Sequence, residues 1–104
     1  AARGFDPWQD GWDAIFAVRH GDGVRVFRNC CPHERGPLPW HKDAFLSSDG
    51  RWIVCSAHGA RFECETGRCI AGPCLGEYLE PVAFRIDPDG QITVLAASDK
   101  SKPI

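Results

Sequence analysis

Short stretches in which apolar and polar residues alternate recur along the chain, and residues that favour turns separate them. Alternation with period two, as in residues 24–28 (VRVFR), is typical of a strand that buries one face. The predicted strands cover residues 14–18, 24–28, 51–54, 60–63, 81–86 and 91–95. No window of about 11 or more residues carries a sustained i, i+3, i+4 apolar stripe, so helix is at most a minor component.

Tetrapeptides rich in Gly and Asp separate several of these strands. His20-Gly21-Asp22-Gly23 and Asp87-Pro88-Asp89-Gly90 are typical of tight hairpin turns, because glycine readily adopts the positive φ that such turns need. With 11 Gly and 8 Pro, the chain exceeds the average share of these residues. The pattern therefore predicts an all-β fold, with residues 98–104 as a frayed polar end.

Length and charge narrow the function classes. The 104 residues predict a single domain, 1–104, because one core seldom divides below about 150 residues. The net charge is −2 and the basic residues are scattered, which disfavours nucleic acid as a partner. No apolar run approaches the roughly 18 residues of a membrane span. The first residues do not resemble a signal peptide, so we expect a cytoplasmic protein.

Two short Cys and His pairs carry the candidate chemistry. Cys31-Pro32-His33 follows the strand at 24–28, and Cys55-Ser56-Ala57-His58 follows the strand at 51–54. In a reducing compartment, clustered Cys and His are more often metal ligands than disulfide partners. Loops at neighbouring strand ends can converge, so these pairs predict one metal centre with two thiolates and two imidazoles.

The two pairs resemble those of the Rieske iron-sulfur family, and the resemblance extends over about residues 14–95. It implies that Cys31 and Cys55 bind one iron of a 2Fe-2S cluster, and that His33 and His58 bind the other. It also implies stacked antiparallel sheets with two cluster-binding loops. The further matches, in the family's order of loop, hairpin, Pro loop and closing strands, are His58-Gly59-Ala60-Arg61-Phe62, Thr66-Gly67, Ala71-Gly72-Pro73, Leu79 and Pro81-Val82.

A structural zinc site is the alternative use of the same four residues, since two Cys and two His are an ordinary tetrahedral zinc set. Zinc sites usually pair Cys with Cys and His with His, whereas each loop here has one of each. A zinc-stabilised interaction module is therefore the alternative function. A coloured protein that contains iron would exclude it.

The resemblance implies a one-electron carrier, which is not itself an enzyme. The large subunits of Rieske oxygenases hold a second, mononuclear iron with two His and a carboxylate. Only His20 and His41 remain here, and both are expected to be ordinary surface residues. We therefore expect a ferredoxin that takes electrons from a flavin-dependent reductase and passes them to a terminal oxygenase. An accessory subunit of a reductase complex, of the nitrite reductase small-subunit type, is the alternative.

The sequence departs from the family pattern in two places. The segment between the ligand pairs is longer than in ferredoxin-like members, and we assign the surplus to residues 36–43. The family also begins with another strand, which either lies in the stretch before Ala14 or is missing. In high-potential relatives, the residues two and four positions after the second His ligand carry hydroxyl groups that donate hydrogen bonds to sulfur. Here these residues are Ala60 and Phe62, which have no hydroxyl group, and the resemblance therefore implies a low reduction potential.

Four cysteines are left after the ligands. The disulfide of the high-potential members is not expected, because Gly36 and Ala57 occupy its positions. Cys30 is interpreted as a core residue. Cys64 and Cys69 flank a turn and either pair across a hairpin or are buried free thiols. The sequence assigns no role to Cys74.

Overall fold

The structure is a computed structural model, and nine short strands form the regular structure of the residues it describes. It describes residues 2–9, 11–21, 23–32, 35–39, 41–57, 59–95 and, in backbone only, 102–103. In chain order the strands are β1 (Ala2–Phe5), β2 (Ile15–His20), β3 (Gly23–Arg28), β4 (Trp52–Val54), β5 (Arg61–Glu63), β6 (Cys69–Ala71), β7 (Phe84–Ile86), β8 (Ile92–Val94) and β9 (Lys102–Pro103). Within these ranges no helix occurs, so none could cross a membrane, and the all-β prediction is confirmed.

The strands make three antiparallel sheets of three strands each, in the orders β1-β2-β3, β4-β5-β6 and β7-β8-β9. Each sheet consists of strands that follow one another in sequence, as expected for hairpins joined by short turns. The hairpin from β2 to β3 closes at the pair His20 and Gly23, where the sequence predicts it.

The first sheet is buried on both faces. Successive residues of a strand point to opposite sides, and neighbouring residues of β2 belong to two different core clusters. Phe16 on β2 and its partner Phe27 on β3 belong to a core shared with the second sheet, where Ile53 and Phe62 are fully buried. Ile15, the neighbour of Phe16, belongs to a second cluster on the other face. That cluster joins the first sheet to the third through the following residues: Val26, Phe84 and Val94. The three sheets are therefore stacked, with the first in the middle.

Strand β1 lies in the stretch before Ala14, which decides between the two alternatives for the N-terminal strand. It pairs with β2 from Ala2 opposite Val18 to Phe5 opposite Ile15. Strand β9 is a correction to the sequence analysis. Residues 102–103, predicted to fray, pair with β8, while most of residues 98–104 lie outside the described part of the chain.

The segment 36–43 is not a free insertion, because the chain around it is packed into the first core. Leu38 and Phe45 are fully buried. The ring of Phe45 stacks on Phe16, with 4.3 Å between centroids and 10° between planes. The backbone N–H of Gly4 donates to Asp43 Oδ1 at 2.8 Å, which ties the segment to β1.

Candidate metal centre

The loops that begin at Cys31 and Cys55 have the same backbone hydrogen bonds. In the first, the N–H of Cys31 donates to the Gly36 carbonyl at 2.8 Å, and the Cys31 carbonyl accepts from Arg35 at 2.7 Å. In the second, the N–H of Cys55 donates to the Ala60 carbonyl at 2.9 Å, and the Cys55 carbonyl accepts from Gly59, also at 2.9 Å. The two loops are therefore equivalent turns, each closed by the backbone of its cysteine.

The equivalence extends to the backbone torsion four residues after each cysteine. Arg35 has φ of 64° and Gly59 has φ of 70°, both in the left-handed region. This conformation costs a residue with a side chain roughly 1–2 kcal/mol. Arg35 has a side chain and still adopts this conformation, so contacts around the first loop, and not the local preference of Arg35, fix its turn.

A buried asparagine links the first loop to the segment after it. Asn29 follows β3, the strand that leads to Cys31, and its side-chain amide donates to the Asp13 carbonyl at 2.8 Å. Its Oδ1 accepts from the backbone N–H of Leu38, also at 2.8 Å. The Leu38 carbonyl in turn accepts from Ser56 in the second loop at 2.8 Å. The two cysteine loops are thus held together through Leu38.

A third loop, residues 72–77, lies against the second cysteine loop. A Cβ atom added to Gly72 would lie 2.7 Å from the Cα of Ala60, which is closer than real Cβ atoms come to another heavy atom. Gly72 also has φ of +105°, a region that L residues rarely adopt. Only glycine therefore allows this approach, at the position where the family's Pro loop is expected.

Five of the six cysteines share one buried environment. Cys31 and Cys55 are both about 1% exposed and belong to the same core cluster as Cys64, Cys69 and Cys74. Burial raises the pKa of Cys64, and burial together with a hydrogen bond to Cys69 raises the pKa of Cys74 to about 12. These two thiols are therefore protonated at neutral pH.

None of the six cysteines forms a disulfide. Cys30 is only half-buried, beside a surface groove, so its assignment to the core is corrected. Cys64 and Cys69 do not pair across their turn. The Cys64 thiol faces the Arg51 carbonyl at 3.6 Å, whereas the Cys69 sulfur contacts Cys74. The sequence missed this second contact because five residues and a turn separate the two cysteines.

His33 and His58 lie outside the described residues, so the structure places only the cysteine half of the predicted ligand set. Among the described residues, no group of three or more Cys, His, Asp or Glu side chains is arranged to hold a metal ion. His20 and His41 are both exposed, as the sequence predicts.

Comparison with known proteins decides what the paired loops are. The sequence profile of the Rieske [2Fe-2S] domain matches residues 9–96, most of the chain. The chain belongs to the Rieske family. Among solved structures, it is similar to the ferredoxin of carbazole 1,9a-dioxygenase from Nocardioides aromaticivorans IC177, at 28% identity with a TM-score of 0.58. The match covers 77% of this chain and 72% of that one. A comparison with curated proteins gave no match.

The predictions of a Rieske fold, a Rieske-type 2Fe-2S cluster and an electron-transfer role are confirmed by this family membership and by the likeness to a ferredoxin. The described residues fit such a cluster, because two thiols from equivalent loops are buried in the same core. When bound, the cluster supplies one-electron chemistry, in which imidazole ligands raise the potential above that of all-Cys clusters. The protein's part is to bury the cysteine sulfurs and to fix the loops that carry them.

Proposed function

We propose that the protein is a ferredoxin-type electron carrier that takes single electrons from a flavin-dependent reductase and delivers them to a terminal oxygenase in the cytoplasm. The observation that carries the proposal is the pair of equivalent cysteine loops in a chain that the Rieske profile covers almost completely. The profile's extent, residues 9–96, also supports a single domain over 1–104. The likeness to the ferredoxin of a dioxygenase supports the choice of partners.

The proposed ligands are Cys31 and Cys55 for one iron and His33 and His58 for the other. The equivalent loops support this assignment, since each His position falls within the turn closed by its cysteine. Replacing His33 or His58 by Ala should abolish the Rieske absorption and electron paramagnetic resonance signals. His41→Ala is the matched control, because His41 is exposed and lies outside both turns. Loss of the signals in the control, with retention in His58→Ala, would refute the assignment.

An exposed aromatic side chain beside the first loop supports a docking face for the redox partners. Tyr78 is 58% exposed. Tyr78 lines an open groove with Pro32, the residue after Cys31, and with the ion pair of Arg28 and Glu80, whose Nε and Oε2 are 2.6 Å apart. Apolar patches with a charged rim are typical of protein interfaces. A partner seated on this groove lies next to a proposed ligand.

Tyr78→Ser tests the face, because Tyr78 lines the groove. It should slow reduction by the reductase while leaving the cluster spectrum unchanged. The control is Ile86→Ser, which replaces an apolar residue of nearly the same exposure, 59%, on the third sheet. Equal rates for the two variants would exclude the groove as the docking face.

The carrier function is tested by reconstitution. The purified protein should contain iron and acid-labile sulfide and should be reduced by a flavin-dependent reductase. Oxygen-dependent product should form only after a terminal oxygenase is added, because the cluster exchanges electrons and does not activate a substrate. Product formation by the isolated polypeptide would overturn the proposal, and zinc in place of iron would favour a structural metal site.

A further inference from the structure

Cys69 and Cys74 place their sulfur atoms in direct contact. The Cys74 thiol donates to the Cys69 sulfur at 3.2 Å, and the Cys69 thiol donates to the Ala71 carbonyl at the same distance. Both side chains are buried, at 0% and 1% exposure. The contact does not involve the proposed cluster ligands, and the electron-carrier function does not account for it.

The backbone holds the two cysteines in this position. Cys69 begins β6, and its N–H donates to the Glu77 carbonyl at 2.7 Å, while its carbonyl accepts from Gly76 at 3.0 Å. The N–H of Glu77 also donates to the Cys74 carbonyl at 2.9 Å. The segment between the cysteines is therefore closed at its base before any covalent bond forms.

A disulfide needs an S–S distance of about 2.05 Å. From the observed contact, the sulfurs have to approach by roughly 1 Å, which side-chain rotation can supply within a loop that is already closed. Cys64 faces the Arg51 carbonyl, and Cys31 and Cys55 are the proposed cluster ligands.

We propose that Cys69 and Cys74 are a redox-active pair that forms a reversible disulfide with a low-molecular-weight disulfide as oxidant. Two exchange steps complete the reaction. One cysteine attacks the oxidant, breaks its S–S bond and releases one reagent thiol; the second cysteine then displaces the other reagent thiol. The two cysteines lose two electrons and two protons, and the oxidant becomes two thiols.

The product covalently ties the loop at residues 72–77 to β6. Oxidation is slow, because the thiolate is the attacking species and the pKa of Cys74 is raised to about 12 by burial and by the hydrogen bond to Cys69. Access requires local opening of the loop, whose other residues Gly72, Pro73, Leu75 and Gly76 are exposed. The disulfide between Cys69 and Cys74 therefore forms only during prolonged exposure to the oxidant.

Trypsin isolates this pair from the other cysteines. Cleavage after Arg68 and Arg85 gives peptide 69–85, which contains Cys69 and Cys74 and no other cysteine. Cys64 falls in peptide 62–68, so a bond from Cys64 would join two peptides and be recognised by mass. The cluster-containing protein is incubated with oxidised glutathione and then unfolded in denaturant that contains iodoacetamide, which alkylates free thiols. It is then digested with trypsin and analysed by mass spectrometry.

The expected product is peptide 69–85 without alkyl groups and about 2 Da lighter than its dithiol form, since two hydrogens are lost. Dithiothreitol before alkylation should restore two alkylation sites. The control Cys64→Ser should give the same product, and Cys74→Ser should not. Three results for the wild-type peptide would overturn the proposal: both cysteines are alkylated, glutathione is attached, or the peptide is bonded to another peptide. Since the readout is a mass, its failure leaves the electron-carrier function untouched.

Discussion

Replacing Gly72 by Ala tests how closely the loop at residues 72–77 must approach the second cysteine loop. The added methyl group would lie 2.7 Å from the Cα of Ala60 and 3.0 Å from its Cβ. Ordinary contacts begin at about 3.4 Å, and Ala60 is fully buried, so neither side can yield without moving backbone. The substitution must therefore displace the loop from the second cysteine loop.

Two terms set the expected cost. Holding alanine at φ of +105° costs roughly 1–3 kcal/mol in backbone strain. Inserting a methyl group into a filled space costs about 1–3 kcal/mol more. The sum, about 2–6 kcal/mol, is a large fraction of the roughly 5–15 kcal/mol by which domains are stable.

Gly76→Ala is the matched control in the same loop. Gly76 has φ of +89°, but nothing lies within 4 Å of a Cβ built there. It should show the strain alone, so Gly72→Ala should be less stable than Gly76→Ala by about 1–3 kcal/mol. Urea unfolding followed by far-ultraviolet circular dichroism measures the difference. Visible absorption in the presence of an iron chelator should show faster cluster loss in Gly72→Ala. Equal stability and equal cluster loss would refute the close approach.

Three further predictions concern other parts of the molecule. Asn29→Ala should destabilise the protein by about 2–4 kcal/mol in urea unfolding, because it leaves two backbone groups without partners; a loss under about 1 kcal/mol would contradict the role of this side chain. The midpoint potential at pH 7 should lie below zero. Phe62→Tyr should raise this potential by roughly 50–100 mV through a hydrogen bond from the new hydroxyl group to sulfur, since 59 mV corresponds to about 1.4 kcal/mol. A wild-type midpoint above about +100 mV in protein-film voltammetry would contradict the expected low potential. Hydrogen bonds from Arg85 and Thr93 lower the pKa of Asp87, so its contribution to stability is present above the unfolded pKa of about 4 and is lost as the pH falls through the folded value. When thermal unfolding is measured at each pH, Asp87→Asn should lose less stability than wild type as the pH falls below about 4.

The strands with a clear apolar run or a clear alternation could be predicted, and those with neither could not. An apolar run identifies β2 and alternation identifies β3, and most residues of both strands are buried or half-buried. Strand β1 (Ala2–Phe5) has the sequence ARGF, in which the buried residue is a glycine. Its place is decided by pairing with β2 and by the bond from Gly4 to Asp43, neither of which leaves a periodic signal. Strand β6 is three residues long, too short for a period to be recognised.

The proposed ligand pairs could be recognised in the sequence because metal binding demands particular side chains at fixed spacing. The equivalence of the two loops could not, because it is made by backbone groups that every residue possesses. Gly59 is compatible with a left-handed turn, but nothing in Arg35 indicates one, although both residues adopt it. The contact of Cys69 with Cys74 was missed for a similar reason, since hydrogen bonds at the base of the loop create it.

The longer segment between the ligand pairs has a structural role that its sequence conceals. Its length suggests an insertion that the site could do without, yet Leu38 and Phe45 are buried in the first core. Leu38 donates its N–H to Asn29, next to the first loop, and its carbonyl accepts from Ser56 in the second. Because one residue bonds to both sides, the spacing of the cysteine loops depends on this segment. Shortening it to the family's usual length would therefore remove core side chains and separate the two halves of the site, whereas insertions at the exposed turn around Ser48 should leave the site intact.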